Sequence, residues 1–126
     1  MAFKLEKEKT KTTPYILIDE ERKYMMFKGK SYLEEVVDFY GDVNDWLDRY
    51  FLSENAELTF DCDMKYFDSS TKKIICNMLH SMDKAASGGA KITVNWIVDE
   101  TNEPMIENGE DFEEEMKHLT FKFIIK

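Results

Sequence analysis

The chain predicts one α/β domain with a mixed sheet and helices mainly on one face, and three observations carry that expectation. Apolar residues at period two alternate along the sequence with stripes at period three to four. Two of the strand-like runs are separated by one helix-length segment, the spacing of a parallel crossover unit, which is right-handed. The 126 residues, 43% hydrophobic and 13% aromatic, are enough for one core. Every strand-like run alternates, whereas strands covered on both faces read as continuous apolar stretches. One sheet face is therefore expected to be more open.

Residues 1–12 alternate Lys, Glu and Thr with little apolar content and are expected as a flexible tail before a domain spanning 13–126. A hairpin follows, with Tyr15–Ile18 and Tyr24–Lys28 as strands around Asp19-Glu20-Glu21-Arg22, and Gly29 ending the second strand. Ser31 and Glu34 have capping-box spacing, which predicts a helix from there. Its core stripe is Leu33, Val36, Val37, Tyr40, Val43, Leu47 and Tyr50. A strand over 58–67 buries Leu58, Phe60, Cys62, Met64 and Tyr66 in alternation. Asp68-Ser69-Ser70 supplies helix-start residues for a helix over 70–87, which Gly88-Gly89 stops. Ile92, Val94, Trp96 and Val98 mark the next strand, over 91–98. Pro104 is expected to break regular structure, with a short helix over 111–117 and a last strand from Leu119 to Ile125. The resulting order is β-β-α-β-α-β-α-β.

Charge removes several classes of function. There are 17 basic and 26 acidic residues, net −9, the wrong sign for a protein that binds nucleic acid by displacing counterions. An anionic membrane surface is disfavoured for the same reason. No uninterrupted apolar run exceeds four residues, too short for a membrane span or a secretory signal, so a cytoplasmic protein is expected. The stretch Asp99–Glu115 holds nine acids and no base, which equals the whole net charge. It reads as a solvated loop and helix face and lacks the register of a calcium loop.

Cys62 and Cys76 form no Cys-x-x-Cys pair and read as reduced thiols. Cys76 and His80 stand four apart on a helix, which could put two ligands on one face. His118 and Cys62 add no recognisable second pair, so no metal and no cofactor are expected. Asp61-x-Asp63 resembles the Asp-x-Asp of magnesium-dependent phosphohydrolases, but alternation through Tyr66 keeps both carboxylates inside the strand.

The stronger candidate is the junction after that strand, because ligands of open α/β sheets gather beyond the carboxyl ends of strands. Asp68-Ser69-Ser70-Thr71 puts three hydroxyls at the amide end of a helix, with Lys72 and Lys73 in its first turn. Simple N-capping explains the spacing. A phosphate there would also meet unpaired N–H groups and the positive end of the helix dipole.

At Tyr66-Phe67-Asp68-Ser69-Ser70-Thr71-Lys72 the chain resembles the SiaC-like regulatory phosphoproteins, relatives of the STAS-domain anti-sigma factor antagonists. The similarity begins at Thr13-Pro14, runs through Val43-Asn44-Asp45-Trp46-Leu47-Asp48-Arg49-Tyr50, and includes Val94-Asn95-Trp96 and the final strand. The resemblance implies a STAS-like fold and a non-enzymatic bacterial switch protein in cyclic-di-GMP signalling. A serine/threonine kinase of the histidine-kinase-like ATPase type would phosphorylate the first hydroxyl after Asp68, which is Ser69. Ser70 and Thr71 are secondary acceptors. A PP2C-type phosphatase would reverse the modification, and the unmodified form would bind a diguanylate cyclase or another regulatory target. Asp68, Ser69, Ser70, Thr71, Lys72 and Lys73 are the expected partner contacts. Two other functions stay open on the residues alone. One is a STAS-like small-ligand module that is never phosphorylated; the other is the hydrolase built on Asp61 and Asp63.

Overall fold

The computed structural model describes residues 2–126. The elements are β1 (Lys4–Lys7), β2 (Tyr15–Asp19), β3 (Tyr24–Ser31), α1 (Val36–Tyr50), β4 (Glu57–Phe67), α2 (Ser69–Ser87), β5 (Lys91–Val98), α3 (Glu103–Glu115) and β6 (Thr120–Ile125). They build one six-stranded sheet in the order β1-β2-β3-β4-β5-β6. The first three strands are antiparallel, and β3 through β6 run parallel. Each parallel step moves one place in the same direction. Right-handed crossovers then put α1, α2 and α3 on the same face.

Burial follows that arrangement. Ile16, Ile18, Met25, Phe27, Leu58, Phe60, Ile92, Val94 and Trp96 are nearly inaccessible under the helices. Their neighbours on the other face, such as Leu17, Met26, Thr59 and Asn95, are half-buried. The mixed α/β fold with helices on one face is thus as the alternation predicts.

Five expectations are corrected. Residues 4–7, assigned to the tail, form β1, and Lys7 reaches across to the Phe39 carbonyl at 2.7 Å and to Asp42 at 3.1 Å. Thr10 and Thr13 then bond to each other, and Tyr32 N–H donates to Thr12, so the following segment is also tied down. Met1 lies outside the described residues. Ser31 does not cap α1: it ends β3, and α1 starts at Val36 after Glu35, which makes no side-chain cap. On α1, Val37 is 67% exposed, and the buried place in the stripe goes to Trp46, whose Nε1 donates to Glu20 at 2.8 Å. Pro104 does not break structure. It sits in the first turn of α3, where its missing N–H would have had no partner.

The fifth correction matters most for function. Gly29, at φ +126°, pairs with Met64, but the next residue, Lys30, pairs with Tyr66. Lys65 is therefore an extra residue in β4, a bulge that reverses the side-chain alternation beyond it. Phe67 turns into the core, and Tyr66, expected inside, is 50% exposed.

Packing around Gly109 of α3 leaves no room for a side chain. A Cβ there would lie 2.5 Å from Trp96 Cδ1 and Nε1 and 2.7 Å from Phe123 Cε1. The Trp96 indole is fixed by its own bond to the Met105 carbonyl at 2.8 Å. Alanine favours a helix over glycine by about 1 kcal/mol, while overpacking costs about 1–3 kcal/mol. Gly109→Ala is expected to lower stability by up to about 2 kcal/mol in urea unfolding, although it improves helix propensity.

Candidate functional site

The junction between β4 and α2 is built from inside outward. Asp68, extended at ψ 178°, caps α2 by accepting the Thr71 N–H at 2.9 Å. Its own N–H donates to the Ser31 carbonyl at 3.1 Å, so the cap is stitched to the end of β3. Thr71 is fully buried, and its Oγ1 lies 2.8 Å from Ser31 Oγ. Tyr40 of α1 donates to Ser31 Oγ at 2.8 Å. Burial pushes the Tyr40 hydroxyl above its ordinary pKa, which keeps it a donor.

One polarity satisfies every group. Tyr40 donates to Ser31, Ser31 donates to Thr71, and Thr71 donates to the Ser31 carbonyl at 3.4 Å. This relay links β3, α1 and α2 beneath the site. Successive residues in the first turn of a helix point about 100° apart. With Thr71 aimed inward, Ser69 and Ser70 face solvent, and both are exposed. Their N–H groups have no intrahelical acceptor, which leaves the helix end open to an anion. Lys72 is half-buried and Lys73 exposed.

The sequence-predicted residues thus divide. Asp68, Ser69, Ser70, Lys72 and Lys73 share one accessible helix end, whereas Thr71 is committed to the core and cannot be a contact or an acceptor without opening the relay. Tyr66 and Tyr32 were missed. Their rings meet edge-on at 6.1 Å, and both are exposed beside the end of the strand pair that leads to Ser69. Val37 adds a third exposed apolar side chain at the start of α1. The available signal was Gly29, since an isolated glycine in a strand pattern marks a bulge.

The other candidates are occupied differently. Asp61 accepts from Tyr24 at 2.6 Å and from Asn95 at 2.8 Å, and Asp63 is held by Lys126 at 2.6 Å. Both carboxylates lie on the open sheet face within β4, and no third acid joins them in a metal-ligating group among the described residues. On the same face a cavity of about 740 Å³ is lined by Lys9, Lys11, Lys28, Lys30, Lys65 and Lys126 together with Asp63 and Glu8. It is a basic concavity on an acidic protein. No helix of the described residues is long and apolar enough to cross a membrane.

The relay makes a stability prediction. Thr71→Val conserves shape but leaves the Ser31 hydroxyl without its acceptor, which costs about 1–3 kcal/mol. Thr71→Ser keeps the acceptor and is expected to lose less. Urea unfolding of the two variants side by side checks the order.

Comparison with known proteins gives a consistent answer. Residues 7–126 match the sequence model described as SiaC family regulatory phosphoprotein. An uncharacterized protein of Pseudomonas aeruginosa strain UCBPP-PA14 is 29% identical over 117 residues, covering 93% of this chain and 90% of that protein. Among solved structures, a chain of the Pseudomonas aeruginosa complex of the diguanylate cyclase SiaD with its activator SiaC superposes with a TM-score of 0.91. It is 27% identical and covers 97% of this chain and 99% of that one. Apo-SiaC from the same organism gives a TM-score of 0.86 at 27% identity, covering 98% of each chain. On the match across nearly its whole length, the chain belongs to the SiaC family of regulatory phosphoproteins.

Proposed function

We propose that this chain is a phosphorylation-gated binding protein that acts on a diguanylate cyclase and catalyses no reaction itself. In the unmodified state it docks on the cyclase through the exposed end of α2, with Ser69, Ser70, Lys72 and Lys73 beside Tyr66 and Tyr32. A kinase of the histidine-kinase-like ATPase type phosphorylates Ser69, and a PP2C-type phosphatase restores the docking form. The observation that carries this reading is the outward placement of Ser69 at the first turn of α2, while Thr71 holds that turn from the core. The similarity to SiaC, an activator of the diguanylate cyclase SiaD, supports the choice of partner.

The same phosphate has opposite effects within the domain and across an interface. It adds about −1.5 to −2 charges at the positive end of α2, close to Lys72 and Lys73, a favourable position worth about 0.3–1 kcal/mol. The fold therefore tolerates the modification. Inside a docked interface an unpaired phosphate instead costs several kcal/mol of desolvation. Each 1.4 kcal/mol is about a tenfold loss of affinity, so a single group can switch binding off without unfolding the protein.

A second reading, an unphosphorylated small-ligand module, is favoured by one observation, the lysine-lined cavity of about 740 Å³ on the open face. That volume falls in the range of small-molecule sites, about 300–1,000 Å³.

The gating reading predicts that Ser69→Ala retains affinity for the cognate cyclase and that Ser69→Asp binds at least tenfold more weakly, as read by calorimetry. Equal affinity of the two variants would contradict it.

A further inference from the structure

A side-chain cluster outside the proposed docking site lies between α2 and α3. Cys76 and His80 are one helical turn apart on α2 and share a face. Glu115, the last residue of α3, comes to the same place although it is 35 residues beyond His80. The sulfur of Cys76, a ring nitrogen of His80 and a carboxylate oxygen of Glu115 all lie within 4.8 Å of one another. We propose that Cys76, His80 and Glu115 form a zinc site that staples the end of α3 to the middle of α2.

The donor set argues for zinc among the common ions. Thiolate and imidazole are ligands of zinc and its transition-metal neighbours, while calcium and magnesium take oxygen. Zinc binds at about 2.3 Å to sulfur and about 2.0–2.2 Å to nitrogen and oxygen, which sets ligand atoms about 3.3–3.6 Å apart in a tetrahedron. His80 Nε2 and Glu115 Oε1 already stand 3.0 Å apart. From that bound of 4.8 Å the thiol has to close by at most about 1.5 Å, a rotation within reach of a side chain at a helix surface. The Cys76 thiol has no hydrogen-bond partner among the described residues, so no such bond has to be broken to recruit it.

Three protein ligands leave a fourth position for water or for a group from a partner. The role proposed for the cluster is structural, because its ligands come from two different helices. A second link runs parallel to it, since Asp83 accepts from the His118 N–H at 2.7 Å and lies 3.2 Å from the His118 ring. Both links tie α2, the helix that carries Ser69, to the segment at the end of α3. Ser69 is about 10 Å along the helix from Cys76.

The test is titration of the full chain with zinc and with cobalt(II), the spectroscopic stand-in. One equivalent of cobalt is expected to produce thiolate-to-metal charge transfer and the intense visible bands of a four-coordinate site, displaced by zinc but not by magnesium. Zinc is expected to raise the melting temperature. Cys76→Ser is expected to abolish the charge-transfer band and to weaken zinc binding at least tenfold, with His80→Ala and Glu115→Gln each weakening it. Glu113→Gln, an exposed neighbour outside the cluster, is expected to bind as the parent does. Cobalt bound without charge transfer, zinc affinity unchanged in Cys76→Ser, or no zinc bound at micromolar concentration would each overturn the site.

Discussion

The arrangement of the site depends on the buried contact among Ser31, Tyr40 and Thr71. Three hydroxyls from three elements meet in the buried interior. Left unpaired, each would cost about 1–3 kcal/mol; joined in one directed relay, all are satisfied, which favours this packing of the three elements. Because Thr71 is fixed from below, the rotation of α2 about its own axis is fixed too. Ser69 and Ser70 then face solvent, and the cap by Asp68 sets where the helix starts. The accessible hydroxyls of Ser69 and Ser70 are thus a consequence of the inaccessible one at Thr71.

A second constraint acts on the same edge. The bulge at Lys65 turns Tyr66 out of the sheet and lets Phe67 replace it inside. An exposed aromatic pair and two exposed serines on one edge of a domain combine apolar contact area with a position where charge can be added. That pairing suits a switch that is read by a partner. On the proposed function, a phosphate there is mildly favourable for the domain and costly for a docked partner. The charge of the whole chain, −9, matters less than where one further charge falls.

Much of this was legible in the sequence because the signals were local. Alternation in 58–64 and 92–98 fixed which face is buried, and Asp68 with Gly88 marked the ends of α2 within a residue. Signals failed where distant chain decided the outcome. Lys4–Lys7 has no strand pattern of its own and is a strand because β2 offers an edge. Ser31 and Glu34 had the spacing of a capping box, but the serine's partners, Tyr40 and Thr71, were not visible from spacing. Tyr66 obeyed period two until a register shift with β3 reversed it. Glu115 belonged to an acidic run with nothing to single it out until the fold set it beside His80. The serine motif was found and the aromatic pair beside it was not, for the same reason.

The most direct test of the account is intact-mass analysis with site mapping on the protein isolated from its native cells. The account predicts a fraction carrying one phosphate, located on Ser69, with Thr71 unmodified in the folded protein. A phosphate on Thr71, or a chain never phosphorylated under any growth condition, would contradict it.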